Sequence, residues 1–438
     1  MNSLQVKKYA KPSFVVSIFI IIGAMYGFGT FGLLNLFGAR VLFQFVYTTI
    51  LLGIVLLMTN HRVPKKEAIL ALVFFVLMGL GGLVNARYFT APLESIIILC
   101  VLLIIAALSD QDVLRLARVV IGVTFLFCSM VLVAYVFYII FPEEYSSANI
   151  HIYSSTVGAA RISPSHLMDW VSFTSGDGYV AFGEVWPRMK GFSNEPSSTV
   201  VHYLAPAVLA FLLGGRYFYM GIFILTVNII AIASLVAHII FIISIVLLII
   251  FLIDSRRAKV FYYFGMSVIL ALLLSPTLMT NIFIFVADMA GAQFDLIHRK
   301  IGGGDGVSSL SVRQSGMVEG ILLLITSPIG YSADALGAGS GLLYNVSSRA
   351  GWIGVVIILF FVAQNLKHAF VWLRAGSASL CQRYGLALMM VIIFVALFIS
   401  GYGWERPVGF VVLALFFRVT IILFSYRNSE AYGHNARL

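Results

Sequence analysis

Apolar runs close to twenty residues long recur along this chain, and they leave it few ways to fold. A helix of about 20 residues covers the hydrocarbon core of a bilayer. Inside that core every backbone N–H and C=O needs a partner within the protein, so such runs are expected to be helices. The qualifying runs cover roughly 14–34, 41–59, 68–84, 95–108, 119–141, 198–213, 218–234, 237–253, 260–275, 343–365, 385–401 and 408–425. The stretch 220–253 is long for one crossing and is divided at its only weakly polar break, 234–238. The expectation is an all-α polytopic membrane protein of about 12 transmembrane helices, a single integral membrane domain over 1–438. Composition agrees. Of the 438 residues 61% are hydrophobic and 11% charged, with a mean hydropathy of +1.02; a soluble domain carries about 25% charged residues.

A net charge of +10 raises the question of nucleic acid, but the cations sit mostly in short loops between spans, which is a topology signal. No nucleic-acid partner is expected. Most Lys and Arg residues, Lys7, Lys65, Arg115, Arg256 and Arg374 among them, fall on the side that holds both termini. The short loops of the other side hold only Arg40, Arg87 and Arg406. The positive side is therefore read as cytoplasmic, whereas an undivided 220–253 helix would reverse everything after it. The basic start, 1–12, precedes a run long enough to span and lacking a small-residue cleavage pattern, so no cleaved signal is expected. Cys100, Cys128 and Cys381 give neither a disulfide framework nor metal-ligand spacing. They read as small hydrophobes, and no metal or cofactor is expected.

Two segments exceed every other loop, 142–197 and 276–342, and both fall on the outer side. Loops this long in a compact protein are functional or disordered. Trp170, Phe173, Tyr179, Phe182 and Trp186 argue against disorder in the first. The spans hold almost no ionisable groups, and His238 and Glu94 lie near span ends. A transporter places such groups at mid-membrane on broken, repeated helices, so that reading is the weaker one.

The first long segment closes on Arg188-Met189-Lys190-Gly191-Phe192-Ser193-Asn194-Glu195-Pro196-Ser197. Cations, a carboxylate and loop formers at a bilayer edge mark a site. Glu195-Pro196-Ser197 also suits a helix start, with Pro in the first turn and a carboxylate on the positive end of the dipole. The plain reading is a cap flanked by two cations. The functional one is an anion site, in which Arg188, Lys190 and the helix N-terminus face a diphosphate while Gly191, Pro196 and Ser197 shape the loop. Glu195 is the first candidate general base; Asp169, Asp177 and Glu184 are further carboxylates that spacing does not rank.

The second segment carries His298-Arg299-Lys300, then Gly302-Gly303-Gly304-Asp305-Gly306, then Ser309 and Arg313. Its glycines match no phosphate-binding fingerprint and read as a hinge. His298 is the second candidate base, and Arg299 and Arg313 are candidate diphosphate ligands. After Arg313, the spacing of Met317, Ile321, Leu324 and Ile325 predicts an amphipathic helix in the interface.

Arg188-x-x-Gly191 followed by Asn194-Glu195-Pro196-Ser197 at the head of a span resembles the first signature of the O-antigen polymerase and ligase superfamily. Ser309-x-x-x-Arg313, a short helix, Pro328-x-Gly330, then Gly351-Trp352-Ile353-Gly354 within a span resembles the second. The Glu-Pro-Ser form looks more like the Wzy-type polymerases than the ligases. Ligases also carry a His-Asn pair where this chain has Leu343-Tyr344-Asn345. The resemblance implies a fold like that of a C-type glycosyltransferase, with two large periplasmic loops. It implies metal-independent polymerisation of undecaprenyl-diphosphate-linked repeat units, with lipid-linked glycan as both donor and acceptor. It places the protein in a bacterial inner membrane among its lipids, active site toward the periplasm and both termini cytoplasmic, with a separate chain-length co-polymerase as partner. An O-antigen ligase and a lipid-linked glycan flippase are the alternatives.

Overall fold

A computed structural model describes Gly23, residues 46–54, 65–84, 91–141, 179–181, 184–186, 189, 200–232, 235–252, 330, 342–374, 378–398 and 407–435. The regular elements among these residues are helices, apart from one small hairpin, β1 (Tyr179–Ala181) pairing antiparallel with β2 (Glu184–Trp186). After a helical segment at 46–54 come α1 (Lys65–Val84), α2 (Ala91–Ala107) and α3 (Asp110–Ile140). A wide π turn (Val200–Leu204) leads into α4 (Ala205–Leu213), and α5 (Arg216–Val227) ends in a second π turn (Asn228–Ile232). Then follow α6 (Leu235–Leu252), α7 (Leu342–Arg374), α8 (Leu380–Phe398) and α9 (Pro407–Asn435).

Four stretches among the described residues are long and apolar enough to cross a membrane: Asp110–Ile140, Leu342–Trp372, Leu380–Leu397 and Val408–Ser425. Apolar side chains also cover much of the outward surface, with Val133 69% and Ile69 61% exposed. In water such a belt is an aggregation patch, whereas against lipid tails it is the matching solvent. Polar side chains inside the helices turn back onto their own backbone. Thr124 donates to the Val120 carbonyl, Ser129 to Phe125, Asn365 to Phe361 and Thr420 to Phe416. That habit meets the rule that a lipid-facing element satisfies its polar groups internally.

Helix ends are set by local chemistry. Asp112 N–H donates to Ser109 Oγ at 3.3 Å, and Asp110 and Asp112 lie on the positive end of α3. That cap starts α3 at Asp110, ahead of the apolar run read from 119. At α8 a capping box forms. Ser379 N–H donates to Gln382 Oε1 and Gln382 N–H to Ser379 Oγ. Gln382 Nε2 also donates to the Leu212 carbonyl at 3.0 Å, tying the start of α8 to the end of α4. Arg418 Nη2 donates to the Leu108 carbonyl and Asp110 Oδ1, each 3.2 Å away, and so ties α9 to the α2–α3 turn.

The centre is α4. Every residue from Val200 to Leu212 is buried, and α3, α5, α8 and α9 pack around it. Gly214 and Gly215, at φ 66° and 55°, turn the chain sharply into α5. The close α4–α5 approach uses Gly221, where a Cβ would stand 3.1 Å from the Ala210 Cβ.

The division expected at 234–238 is tested by how the helices on either side pack, Ser234 itself lying outside the described residues. Helix α6 runs back along α8. Its Ser244 lies close to the Tyr384 phenol, and the Tyr384 ring stacks edge-on against Phe211 near the end of α4. Had α6 continued from α5, Ser244 would lie about 18 Å beyond Ile232, at 1.5 Å per residue, away from the end of α4 that Tyr384 marks.

Helix α7 is two helices joined at Gly351, which has φ 60° and ψ −164°. That conformation is nearly glycine-only. Gly351→Ala is expected to cost about 1–3 kcal/mol. Thermal unfolding of the detergent-solubilised protein checks it, the expectation being a lower midpoint than for the unsubstituted chain. Three residues on, a Cβ at Gly354 would stand 2.5 Å from the Ala350 Cβ and 3.0 Å from Val346 Cγ1.

Candidate functional site

The described helices sort their ends onto two sides. Gly79 of α1 meets Pro92 and Ser95 of α2, and Gly81 meets the Arg349 carbonyl near the start of α7. These contacts define one end of the bundle. Helix α7 leaves that end, and α8 begins at the other, where Gln382 reaches Leu212. Val200, at the head of the central helix, and Ala231, at the tail of α5, therefore lie on the Gly81 end. The two long segments flagged in the sequence each rejoin described structure there, the first at Val200 and the second at Leu342.

One residue of the Arg188–Ser197 stretch is placed. Met189 is fully buried. Its N–H donates to the Ala231 carbonyl at 2.9 Å. The last four carbonyls of a helix have no partner within it, and the loop amide takes one of them. A trans peptide holds neighbouring Cα atoms about 3.8 Å apart, so the Arg188 and Lys190 backbones are tethered to the tail of α5 by covalent geometry alone. Eleven residues on from Met189 the chain re-enters at Val200. The signature is thus strung between two buried anchors.

Both anchors are wide turns, each with a cause in the sequence. Pro206 has no N–H to offer the His202 carbonyl, and its ring crowds that oxygen; the first π turn, Val200–Leu204, accommodates it. In the second, Asn228 Nδ2 donates to the Ile224 carbonyl at 2.8 Å, the same oxygen that receives the Asn228 backbone N–H. A side chain competing for ladder carbonyls loosens a helix. Asn228 is 0% exposed, and its Oδ1 has no hydrogen-bond partner among the described residues. An unmade bond of that kind costs about 1–3 kcal/mol. Single π turns of this sort occur frequently at functional sites.

His202 is 5% exposed and sits on the first wide turn. The reading that the spans hold almost no ionisable groups named His238 and Glu94 and left this one out. It lies within the run read at 198–213, seven positions after Glu195. In the second region Gly330, at φ 105°, adopts a backbone that L side chains rarely take, which accounts for a glycine after Pro328.

The proposed bases Glu195 and His298 lie outside the described residues. So do Arg188, Lys190, Arg299 and Arg313, the loop formers Gly191, Pro196 and Ser197, and the amphipathic run 314–326. Sequence reasoning passed over Met189, Asn228 and His202. Each carried a signal: an apolar residue between two cations, an amide in the middle of an apolar run, and an imidazole in another.

No family model, no curated protein and no solved structure matches this chain.

Proposed function

We propose that this chain is a Wzy-type polymerase, joining undecaprenyl-diphosphate-linked repeat units at the periplasmic face of a bacterial inner membrane. The observation that carries the reading is the anchoring of the Arg188–Ser197 stretch. Its two cations, Arg188 and Lys190, flank Met189, whose N–H is bonded to the tail of α5, and its Glu195-Pro196-Ser197 end precedes the most enclosed helix of the bundle. A short basic loop fixed at both ends can hold guanidinium and ammonium groups in one geometry without the entropy cost of an open loop. About 12 spans, cytoplasmic termini and a frame like that of a C-type glycosyltransferase complete the proposal.

The acceptor is a lipid-linked repeat unit whose terminal sugar hydroxyl attacks the anomeric carbon of the donor glycan. A new C–O bond forms as the bond to the lipid diphosphate breaks. Glu195, or His298 in its place, takes the hydroxyl proton. The leaving diphosphate carries off the electron pair, and Arg188 and Arg313 neutralise the growing charge, with Lys190 and Arg299 adding to the field.

Lipid-linked glycan analysis of a deletion strain tests this. The expected result is carrier lipid bearing single repeat units and no polymer. Long polymer accumulating on the carrier identifies a ligase. Repeat units trapped on the cytoplasmic side identify a flippase. Either outcome overturns the proposal.

A further inference from the structure

The Asn228 side chain is the least accounted-for polar group at the anchored end of the bundle. Its amide nitrogen doubles up on a carbonyl, Ile224, already taken by its own backbone N–H. Its oxygen is buried without a partner among the described residues. A leucine, branched at the same atom, would suit the surroundings better, because α3 packs against this turn and the buried residues around it are apolar. The amide therefore works against packing. What it does achieve is local: directly after it the helix widens into the π turn Asn228–Ile232. Within that turn, three residues on and so on the same side of the helix, the Ala231 carbonyl receives Met189 N–H at 2.9 Å. Met189 stands between the two cations of the first signature.

We infer that Asn228 is a positioning residue, whose side-chain bond to the Ile224 carbonyl opens the tail of α5 so that Ala231 can hold Met189 and thereby fix the Arg188–Lys190 segment. The role in reaction rests on the polymerase reading; the coupling of Asn228 to Met189 does not. Substituting Asn228 with Leu removes the competing donor and restores a regular ladder. Asn228→Ser keeps a donor able to reach the carbonyl four residues back.

Hydrogen–deuterium exchange of the purified, detergent-solubilised protein reads the coupling at the Met189 amide. Expected is exchange at least tenfold faster in Asn228→Leu than in the unsubstituted protein, with Asn228→Ser close to unsubstituted. Amides of α4 are expected to keep their protection in both variants, which separates loss of the anchor from loss of the fold. Unchanged Met189 exchange in Asn228→Leu overturns the inference whatever the glycan phenotype. The same variants, expressed in the deletion strain, read the consequence: Asn228→Leu is expected to raise the half-saturating level of lipid-linked substrate by about tenfold, and Asn228→Ser to rescue it. Normal substrate dependence in Asn228→Leu, alongside fast Met189 exchange, overturns the positioning role. A parent strain that makes no polymer with the unsubstituted protein refutes the polymerase reading and leaves the exchange result standing on its own.

Discussion

Replacing Arg188 or Arg313 with Ala is expected to abolish polymer while the protein still accumulates in the membrane. Removing one preorganised donor from a developing oxyanion costs about 10²–10³ in rate. Chain growth compounds that loss, since each added repeat repeats the slow step, so a defect of this size per transfer leaves only short products. Arg188→Lys is the finer comparison. A lysine keeps the charge but offers a single point in place of a planar fork, and its product is expected to stay far below the parent's. Carrier-linked glycan sizing checks both, beside an immunoblot of membrane fractions. Full-length polymer from both alanine variants would remove the two arginines from the reaction.

The second large effect is structural and needs no function to read. Gly81 lies so close to the Arg349 carbonyl that a Cβ would overlap it. The obstacle is backbone and cannot rotate away, so α1 and α7 must separate. Overpacking of this kind costs about 1–3 kcal/mol even for an added methyl, and Gly81→Val adds two more carbons on the same side. Expected is a sharply lower unfolding midpoint in detergent for Gly81→Ala and no recoverable protein for Gly81→Val. Gly79→Ala should cost less, since its nearest obstacle, the Pro92 Cα, stands at 3.1 Å. At Gly122 of α3 a Cβ would meet nothing within 4 Å among the described residues. There Ala is expected to be neutral or stabilising by up to about 1 kcal/mol through helix propensity. An equal response at Gly81 and Gly122 would contradict the packing.

Hydropathy made most of the helices legible, because a run that suits hydrocarbon has one economical backbone. It did not find their ends. Ser109 caps α3 at Asp110, where the apolar run was read from 119, because a cap is a hydrogen bond and not a hydropathy. Helix α7 continues to Arg374, past the apolar limit at 365. The Gly351-Trp352-Ile353-Gly354 pattern carries no sign that Gly351 has a positive φ, since a glycine is equally at home in a regular helix packed closely on a neighbour. At the site the sequence offered the residue types but not their neighbours. Met189 looked like filler between Arg188 and Lys190, yet an apolar side chain in a polar stretch has to bury itself somewhere, and here it finds the core. Choosing between Glu195 and His298 requires their separation in space, which no spacing along a chain encodes.

The enclosed position of α4 has a consequence for biogenesis. Val200–Leu213 is apolar, and every residue from Val200 to Leu212 is buried, so its faces meet other helices and not lipid. Two of the helices that surround it, α8 and α9, begin 167 and 194 residues after Leu213. The emerging chain must therefore carry this segment through insertion before its walls exist. With a cysteine placed at Ala207, translocon-stalled chains ending before Leu380 should leave that thiol open to alkylating reagents, and chains extended past Asn435 should close it off.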